Sequence, residues 1–208
     1  MTKDFELNTL PYFTLSQVSL FYKNKKEAST LISNRIRQKK IYSIREWIYI
    51  SDEKLKEITL TWKLTQFLEF AATNLIYTPS YLSLEYVLFE NNIITENVYA
   101  FTLITTKKTA KFSNSFWTFN YRSIKEPFYG DYEVHNQNWF SFYKAAPEKA
   151  LFDYLYFKKD FIFSASYLEE LRINRENVNM RKFEKLIKNY KSRKMERIFK
   201  FIKDTLWL

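Results

Sequence analysis

The chain has 208 residues, a formal net charge of +10, one Gly, one His and no Cys. The lack of Cys excludes disulfides, thiol catalysis and cysteine-based zinc sites, and a single Gly excludes glycine-rich phosphate loops. His135 alone leaves Ser-His-Asp catalysis and histidine-pair metal sites with one possible participant. Enzyme chemistry is therefore restricted largely to carboxylates and lysines, and we expect neither a cofactor nor a metal.

The apolar fraction of 46% is high enough for a hydrophobic core, in one medium domain or two small ones. No apolar run approaches the roughly 20 residues that span a bilayer. The first six residues mix charged and apolar side chains, unlike a signal peptide. These features predict a cytoplasmic protein without a membrane partner.

The positive charge is concentrated at the two ends of the chain. Residues 1–60 hold 11 Lys/Arg against 7 Asp/Glu, for +4. Residues 61–140 hold 6 against 7, for −1, and residues 141–208 hold 16 against 9, for +7. Two separate surfaces could therefore face a polyanion.

The first basic region has the pattern of a DNA-binding domain. Thr14 and Gln17 form a capping box that begins one helix, apolar spacing indicates a second helix at about 26–39, and two short alternating runs around Arg45 predict a hairpin. Helix, turn, helix and hairpin is the order of a winged helix-turn-helix, whose second helix enters the major groove. Its polar side carries the candidate base-reading residues Lys26, Thr30, Ser33, Asn34 and Arg37, and Lys39, Lys40 and Arg45 are predicted to contact phosphate.

The middle of the chain changes from helices to strands. A helix is predicted over about 54–77 with a break near 59–61, then a break at 78–80 and another helix from Ser83 to about residue 91. From Asn97, alternation predicts strands at 98–105, 115–122 and 139–145, with a shorter one near 127–129. The aromatic residues of these strands are expected to pack on a helix, with a nucleobase-stacking surface as the alternative.

Pro147 marks the start of the next predicted helix. Ala150, Leu151, Tyr154 and Leu155 form its apolar stripe and are predicted to be buried, whereas Glu148, Lys149 and Asp153 fall mostly off that stripe. A capping-box pattern at 166–169 predicts a further helix, and the last fifty residues are predicted to form amphipathic helices with cationic outer sides. The candidate partner or nucleic-acid surface is Arg181, Lys182, Lys185, Lys188, Arg193 and Lys194.

Three passages together carry a family resemblance: residues 38–49 (QKKIYSIREWIY), 79–88 (PSYLSLEYVL) and 146–153 (APEKALFD). They resemble the wing, the "PSYxSLExAL" helix and the "xPEKALlD" helix of AbiEi-type antitoxins of bacterial abortive-infection (type IV toxin–antitoxin) systems. The resemblance covers about residues 10–160. It implies a DNA-binding domain that represses its own operon and a C-terminal part that antagonises a nucleotidyltransferase-type toxin. Glu46-Trp47 departs from the glycine usual in family wings, and the basic helices after Lys158 match nothing in the family.

The resulting prediction is an α+β protein with a winged helix-turn-helix at residues 1–55. Residues 56–208 are predicted to form an α+β domain with a linking helix, a small mostly antiparallel sheet and basic C-terminal helices. The expected function is that of a non-enzymatic repressor and antitoxin, with operator DNA and a nucleotidyltransferase-like toxin as partners. The alternatives are an RNA, other nucleic-acid or membrane-surface binder that uses the C-terminal helices, and a metal-dependent nuclease that uses Glu148, Lys149 and Asp153. The oligomeric state is not predicted.

Overall fold

The computed structural model describes residues 7–22, 24–61, 63–137, 139–158 and 161–206, and these form a mixed α+β fold. The helices are α1 (Leu15–Ser19), α2 (Lys25–Arg37), α3 (Asp52–Leu60), α4 (Leu64–Phe70), α5 (Leu84–Glu90), α6 (Pro147–Tyr156), α7 (Ala165–Glu170), α8 (Met180–Tyr190) and α9 (Arg193–Leu206). The strands are β1 (Phe13–Thr14), β2 (Ile41–Arg45), β3 (Ile48–Ser51), β4 (Ser80–Leu82), β5 (Phe101–Thr105), β6 (Ala110–Ser113), β7 (Thr118–Ser123), β8 (Tyr132–Gln137) and β9 (Phe140–Ala145). A π-helical segment, Ala71–Ile76, continues α4, and short 3-10 turns lie at Glu126–Phe128 and Arg175–Asn177.

The N-terminal elements form a three-stranded antiparallel sheet with α1 and α2 packed beside it. The strand order is β1-β3-β2. The predicted capping box is confirmed, because Gln17 N–H donates to Thr14 Oγ1 at 3.3 Å and Thr14 N–H donates to Gln17 Oε1 at 2.8 Å. This part has a small core of its own, built from Leu7, Phe13, Leu15, Val18, Ala28, Ile32, Ile41 and Tyr49.

The same sheet also contributes to the main core of the protein. Ile44 of β2 and Ile50 of β3 pack in the main cluster together with Ile58 of α3. The division at residue 55 falls inside α3 and remains a prediction, since apolar contacts cross it. The hairpin therefore lies between two cores, which fixes its orientation relative to the larger sheet.

The larger sheet has six strands in the order β6-β7-β5-β4-β9-β8. The pairs β6–β7, β4–β5 and β8–β9 are antiparallel, and β5–β7 and β4–β9 are parallel. The sheet is therefore larger and more mixed than the small, mostly antiparallel one predicted. The sequence missed β4, which has three residues, and the edge strands β6 and β8, whose polar side chains weaken the alternation signal. The predicted strand near 127–129 is wrong, because Pro127 lies in a 3-10 turn.

α6 is the central helix of the second part of the molecule. It lies against α5, α8, α9 and β9. Ala150, Leu151, Tyr154 and Leu155 are buried as predicted. Glu148, Lys149 and Asp153, which fall mostly off the apolar stripe, are buried as well. The apolar stripe described only one side of α6, whereas neighbouring elements cover the others.

Three helix boundaries complete the comparison. The predicted break after α3 is confirmed, because α3 ends at Leu60 and α4 begins at Leu64. The capping residue of α7 is Ser164 rather than Ser166, since Ser164 Oγ accepts from the N–H of Tyr167 at 3.3 Å. Ser83 precedes α5 but makes no side-chain cap.

Within the described ranges, no helix is both long and apolar enough to cross a bilayer.

Candidate nucleic-acid interface

The outward side of α2 is the first part of the candidate interface. Asn24 begins the helix by accepting a hydrogen bond from Glu27 N–H at 2.9 Å. Ala28 and Ile32 point into the small core and are buried. The five predicted base-reading residues are all exposed: Lys26, Thr30, Ser33, Asn34 and Arg37. Their spacing along the 13-residue helix places them on the side opposite the core.

The end of α2 positions two predicted phosphate contacts. Lys39 has a left-handed backbone with φ of 57°. Lys39 N–H donates to Ile36 O at 3.0 Å, and Lys40 N–H donates to Arg35 O at 2.9 Å. These two bonds form a Schellman motif, in which the left-handed position is usually glycine. The motif holds the backbone of two exposed lysines directly after the last turn of α2.

The hairpin tip lies beside the start of α2. The turn consists of Glu46 and Trp47, since β2 ends at Arg45 and β3 begins at Ile48. Trp47 has a left-handed φ of 68° and is 50% exposed. Lys25 Nζ lies 5.6 Å from the centroid of its ring. The sequence reasoning did not select Trp47 as a candidate interface residue. A tryptophan at a turn position that favours glycine could have drawn attention to it.

Arg45 lies apart from the other predicted DNA contacts. Its Nη1 donates to the carbonyl of Ile76, and its guanidinium carbon lies 5.3 Å from the ring centroid of Phe112. Both partners belong to the second part of the chain. Arg45 therefore joins the hairpin to the larger sheet, and this placement argues against the predicted phosphate contact.

The acidic and lysine residues of α6 form an enclosed polar network. Lys149 Nζ donates to Asp153 Oδ1 at 2.5 Å, so the two residues form an i,i+4 ion pair along α6. Asp153 Oδ2 accepts from the hydroxyls of Tyr81 at 3.0 Å and Ser83 at 2.8 Å. Lys149 also donates to Phe128 O at 2.9 Å. Each charged group is therefore satisfied by several neighbours rather than by a single partner.

Burial dominates the electrostatics of this network. The side chains of Lys149 and Asp153 are 1% and 0% exposed. Burial lowers the pKa of Lys149 and raises the pKa of Asp153, and in both cases the partner's charge opposes the shift. The rings of Tyr81 and Tyr190 lie 5.5 and 5.0 Å from the Lys149 ammonium and further stabilise the cation. The pair is therefore enclosed by the protein and packs inside it.

A second polar network, buried at Glu69 and Lys144 and exposed at Glu90, was missed by the sequence reasoning. Lys144 Nζ lies 2.6 Å from Glu69 Oε1 and 2.8 Å from Glu90 Oε1. The Tyr86 hydroxyl donates to Glu69 Oε1 at 2.9 Å. Burial raises the pKa of Glu69, while Lys144 opposes this effect. The sequence feature that could have revealed this network is Glu69, a lone carboxylate inside the apolar run of α4.

The six predicted residues of the C-terminal surface fall into two groups. Arg181, Lys182, Lys185 and Lys188 are exposed along α8, and Lys188 pairs with Glu184 at 2.9 Å. Arg193 and Lys194 lie at the start of α9 and line a cavity with Arg122 and Lys125, two residues that the sequence did not single out. The structure therefore brings the beginning of α9 together with the end of β7.

Metal ligands and relatives give no further indication of function. In the described part of the chain, no group of three or more His, Asp or Glu side chains could hold a metal ion. Comparison with protein-family models and with curated proteins finds no match to this chain.

Proposed function

We propose that the protein is a DNA-binding transcriptional repressor that serves as the antitoxin of an abortive-infection toxin–antitoxin pair. Its DNA-reading part is a winged helix-turn-helix, with α2 as the recognition helix and β2–β3 as the wing. The observation that carries the proposal is the solvent-facing polar side of α2, which stays clear of the second part of the molecule. The antitoxin role rests on the family resemblance alone.

The order and pairing of the elements support the winged-helix part of the proposal. A short strand precedes the two helices and pairs with the second strand of the hairpin, which brings the hairpin tip to the start of α2. A recognition helix lies in the major groove, and the hairpin beside it contacts the backbone. Trp47 and Lys25 occupy that flanking position here.

The charges on this side of the molecule suit a DNA backbone. Lys26 and Arg37 lie among short polar side chains of α2, and Lys39 and Lys40 follow at its end. Short polar side chains read base edges, and flanking cations contact phosphate and set the orientation. The nuclease alternative is weaker, because the Lys149–Asp153 pair is enclosed.

The test is binding to the DNA upstream of the protein's own reading frame, measured by fluorescence anisotropy over a range of salt concentrations. Asn34→Ala and Arg37→Ala should each cost about 1–3 kcal/mol against the specific site and relax the sequence preference. Lys111→Ala, which removes an exposed cation on β6, is the control and should leave binding unchanged.

Two results would contradict the proposal. The first is full-length protein that binds this DNA no better than unrelated DNA. The second is equal weakening by Asn34→Ala and Lys111→Ala. The antitoxin part has a separate readout, in which co-expression must relieve growth inhibition by a nucleotidyltransferase-like protein encoded beside the chain.

A further inference from the structure

A cleft of about 830 Å³ lies where the end of β7 in the six-stranded sheet meets the connection between α8 and α9. Five cationic residues line it: Arg122 and Lys125 from the sheet side, and Lys191, Arg193 and Lys194 from the helix connection. No Asp or Glu is among the described residues of its lining. Four of these cations are exposed, and Lys194 is half-buried. A cavity with this charge attracts anions and repels cations.

Packing and backbone geometry hold the cations in place. Lys194 Nζ donates to Tyr156 O at 2.7 Å and to Lys158 O at 2.6 Å, so it ties the start of α9 to the C-terminal end of α6. Lys191 has a left-handed backbone with φ of 49° at the end of α8. The guanidinium carbon of Arg122 lies 5.3 Å from the ring centroid of Phe157. The positive lining is therefore built by three separate elements rather than by one flexible segment.

Aromatic side chains form the wall of the same cleft. Phe128, Tyr156 and Phe157 line it and are half-buried, and the rings of Phe128 and Tyr156 lie 5.1 Å apart. Sites for single-stranded nucleic acids combine a cationic groove with aromatic rings on which bases stack. The cleft contains both components.

A second cavity of about 310 Å³ has two lining residues in common with the first. It shares Arg193 and Lys194 with the first cavity and is also lined by Arg197, Phe161, Phe163 and Ile198. Phe163 is 46% exposed, and the guanidinium carbon of Arg197 lies 5.4 Å from its ring centroid. An isolated phosphate needs neither the second cavity nor its exposed ring, whereas a linear polyanion with planar bases uses both.

We propose that these two cavities form a binding groove for single-stranded nucleic acid. The strand follows Arg122, Lys191, Arg193 and Arg197 with its phosphates, and its bases stack on the aromatic side chains of the groove. This site lies on β7 and on the connection to α9, apart from the exposed side of α2, and does not depend on the proposed operator binding.

Backbone geometry provides a matched pair of variants for the test. Lys191 and Arg172 are both exposed cations with left-handed φ values, of 49° and 46°, directly after a helix. Replacement by glycine removes one positive charge and relieves the backbone in each case. Only Lys191 lines the groove, whereas Arg172 lines a different cavity. We therefore expect Lys191→Gly to keep its stability, and an unchanged or higher melting temperature assigns a loss of binding to the missing charge.

The experiment measures fluorescence anisotropy of labelled oligo(U), oligo(dT) and a duplex, each of about 12 nucleotides, a length within the range of known single-strand sites. The protein is the full chain carrying Lys26→Ala and Arg37→Ala, which weaken the α2 side. Lys191→Gly should weaken oligonucleotide binding and lower the slope of log K against log salt by about 0.7, at an equal or higher melting temperature. Arg172→Gly should leave binding unchanged.

A second pair tests stacking. Phe163→Ala should weaken binding of the single-stranded oligonucleotides about fivefold or more. Phe89→Ala, at a similarly exposed phenylalanine outside the groove, should leave their binding unchanged. Tighter binding of oligo(U) or of oligo(dT) than of the duplex supports the proposal, and oligo(dU), which differs from oligo(U) only in the sugar, identifies the sugar preference. Three results would each overturn the proposal. The first is an equal effect of Lys191→Gly and Arg172→Gly on binding, and the second is a duplex that binds as tightly as the single strands. The third is binding of inorganic phosphate or of an acidic peptide in place of the oligonucleotides.

Discussion

Asp153→Asn tests whether the enclosed pair in α6 stabilises the fold. Tyr81 and Ser83 both donate to Oδ2, and Lys149 donates to Oδ1. An Asn with its carbonyl at the Oδ2 position keeps both hydroxyl bonds but turns an amide donor toward the Lys149 ammonium. The substitution therefore leaves a buried cation without its counter-charge, which costs about 3–5 kcal/mol of unfolding free energy.

The companion variants are Lys149→Met and the double variant. Lys149→Met leaves the Asp153 carboxylate buried without a cation, so it should also cost about 3–5 kcal/mol. The double variant removes both charges and keeps the two hydroxyl bonds to the side chain at position 153. Its cost should be smaller than the sum of the single costs by about 2 kcal/mol or more, since directly contacting groups are coupled. Urea denaturation followed by circular dichroism gives all three values.

Comparison of the two single variants with the double variant distinguishes a structural role of the Lys149–Asp153 pair from a functional one. If Asp153→Asn unfolds with nearly unchanged free energy but loses DNA binding or toxin antagonism, the pair acts at a functional surface, and our account of α6 is wrong. Additive single costs would also refute it, because the coupling follows from the direct contact between Lys149 Nζ and Asp153 Oδ1.

Two further predictions concern α2 and the core. Lys39→Gly should raise the unfolding free energy by about 1 kcal/mol, because glycine adopts the left-handed φ of 57° without strain. The same variant should weaken operator binding and lower the slope of log K against log salt by about 0.9, because one phosphate contact is lost. An unchanged slope in a salt titration would exclude that contact. Leu151→Ala, at a side chain only 3% exposed, should cost about 2–5 kcal/mol in urea denaturation. Leu60→Ala, 79% exposed, is its control and should stay within about 0.5 kcal/mol.

Local features of the chain were readable from the sequence because their causes are local. The Thr14–Gln17 capping box involves residues three apart, and the hydrogen bonds of its two residues require no distant partner. The same holds for the exposed polar side of α2, which follows from burial of Ala28 and Ile32 at helical spacing. Pro147 likewise predicted the start of α6.

The predictions failed where a residue's environment comes from distant parts of the chain. Lys149 and Asp153 fall mostly off the apolar stripe of α6, so the stripe did not predict their burial. Asp153 accepts hydrogen bonds from Tyr81 and Ser83, about 70 residues earlier in the chain. A helix was predicted from Ser83, and α5 does follow it, but the Ser83 hydroxyl donates to Asp153 and does not cap the helix. Helical periodicity reports one buried side and carries no information about elements that cover the other sides.

The candidate sites divide in the same way. Helical spacing was enough to select the five residues on the outward side of α2, since one helix carries all of them. The groove at the start of α9 depends on Arg122 and Lys125, which lie some 70 residues before Arg193 in the sequence and meet it only through sheet order and helix packing. Charge content along the chain predicted that cations would reach the surface. Only the tertiary structure decided which of them share a cavity, because that requires long-range pairing of strands and docking of helices.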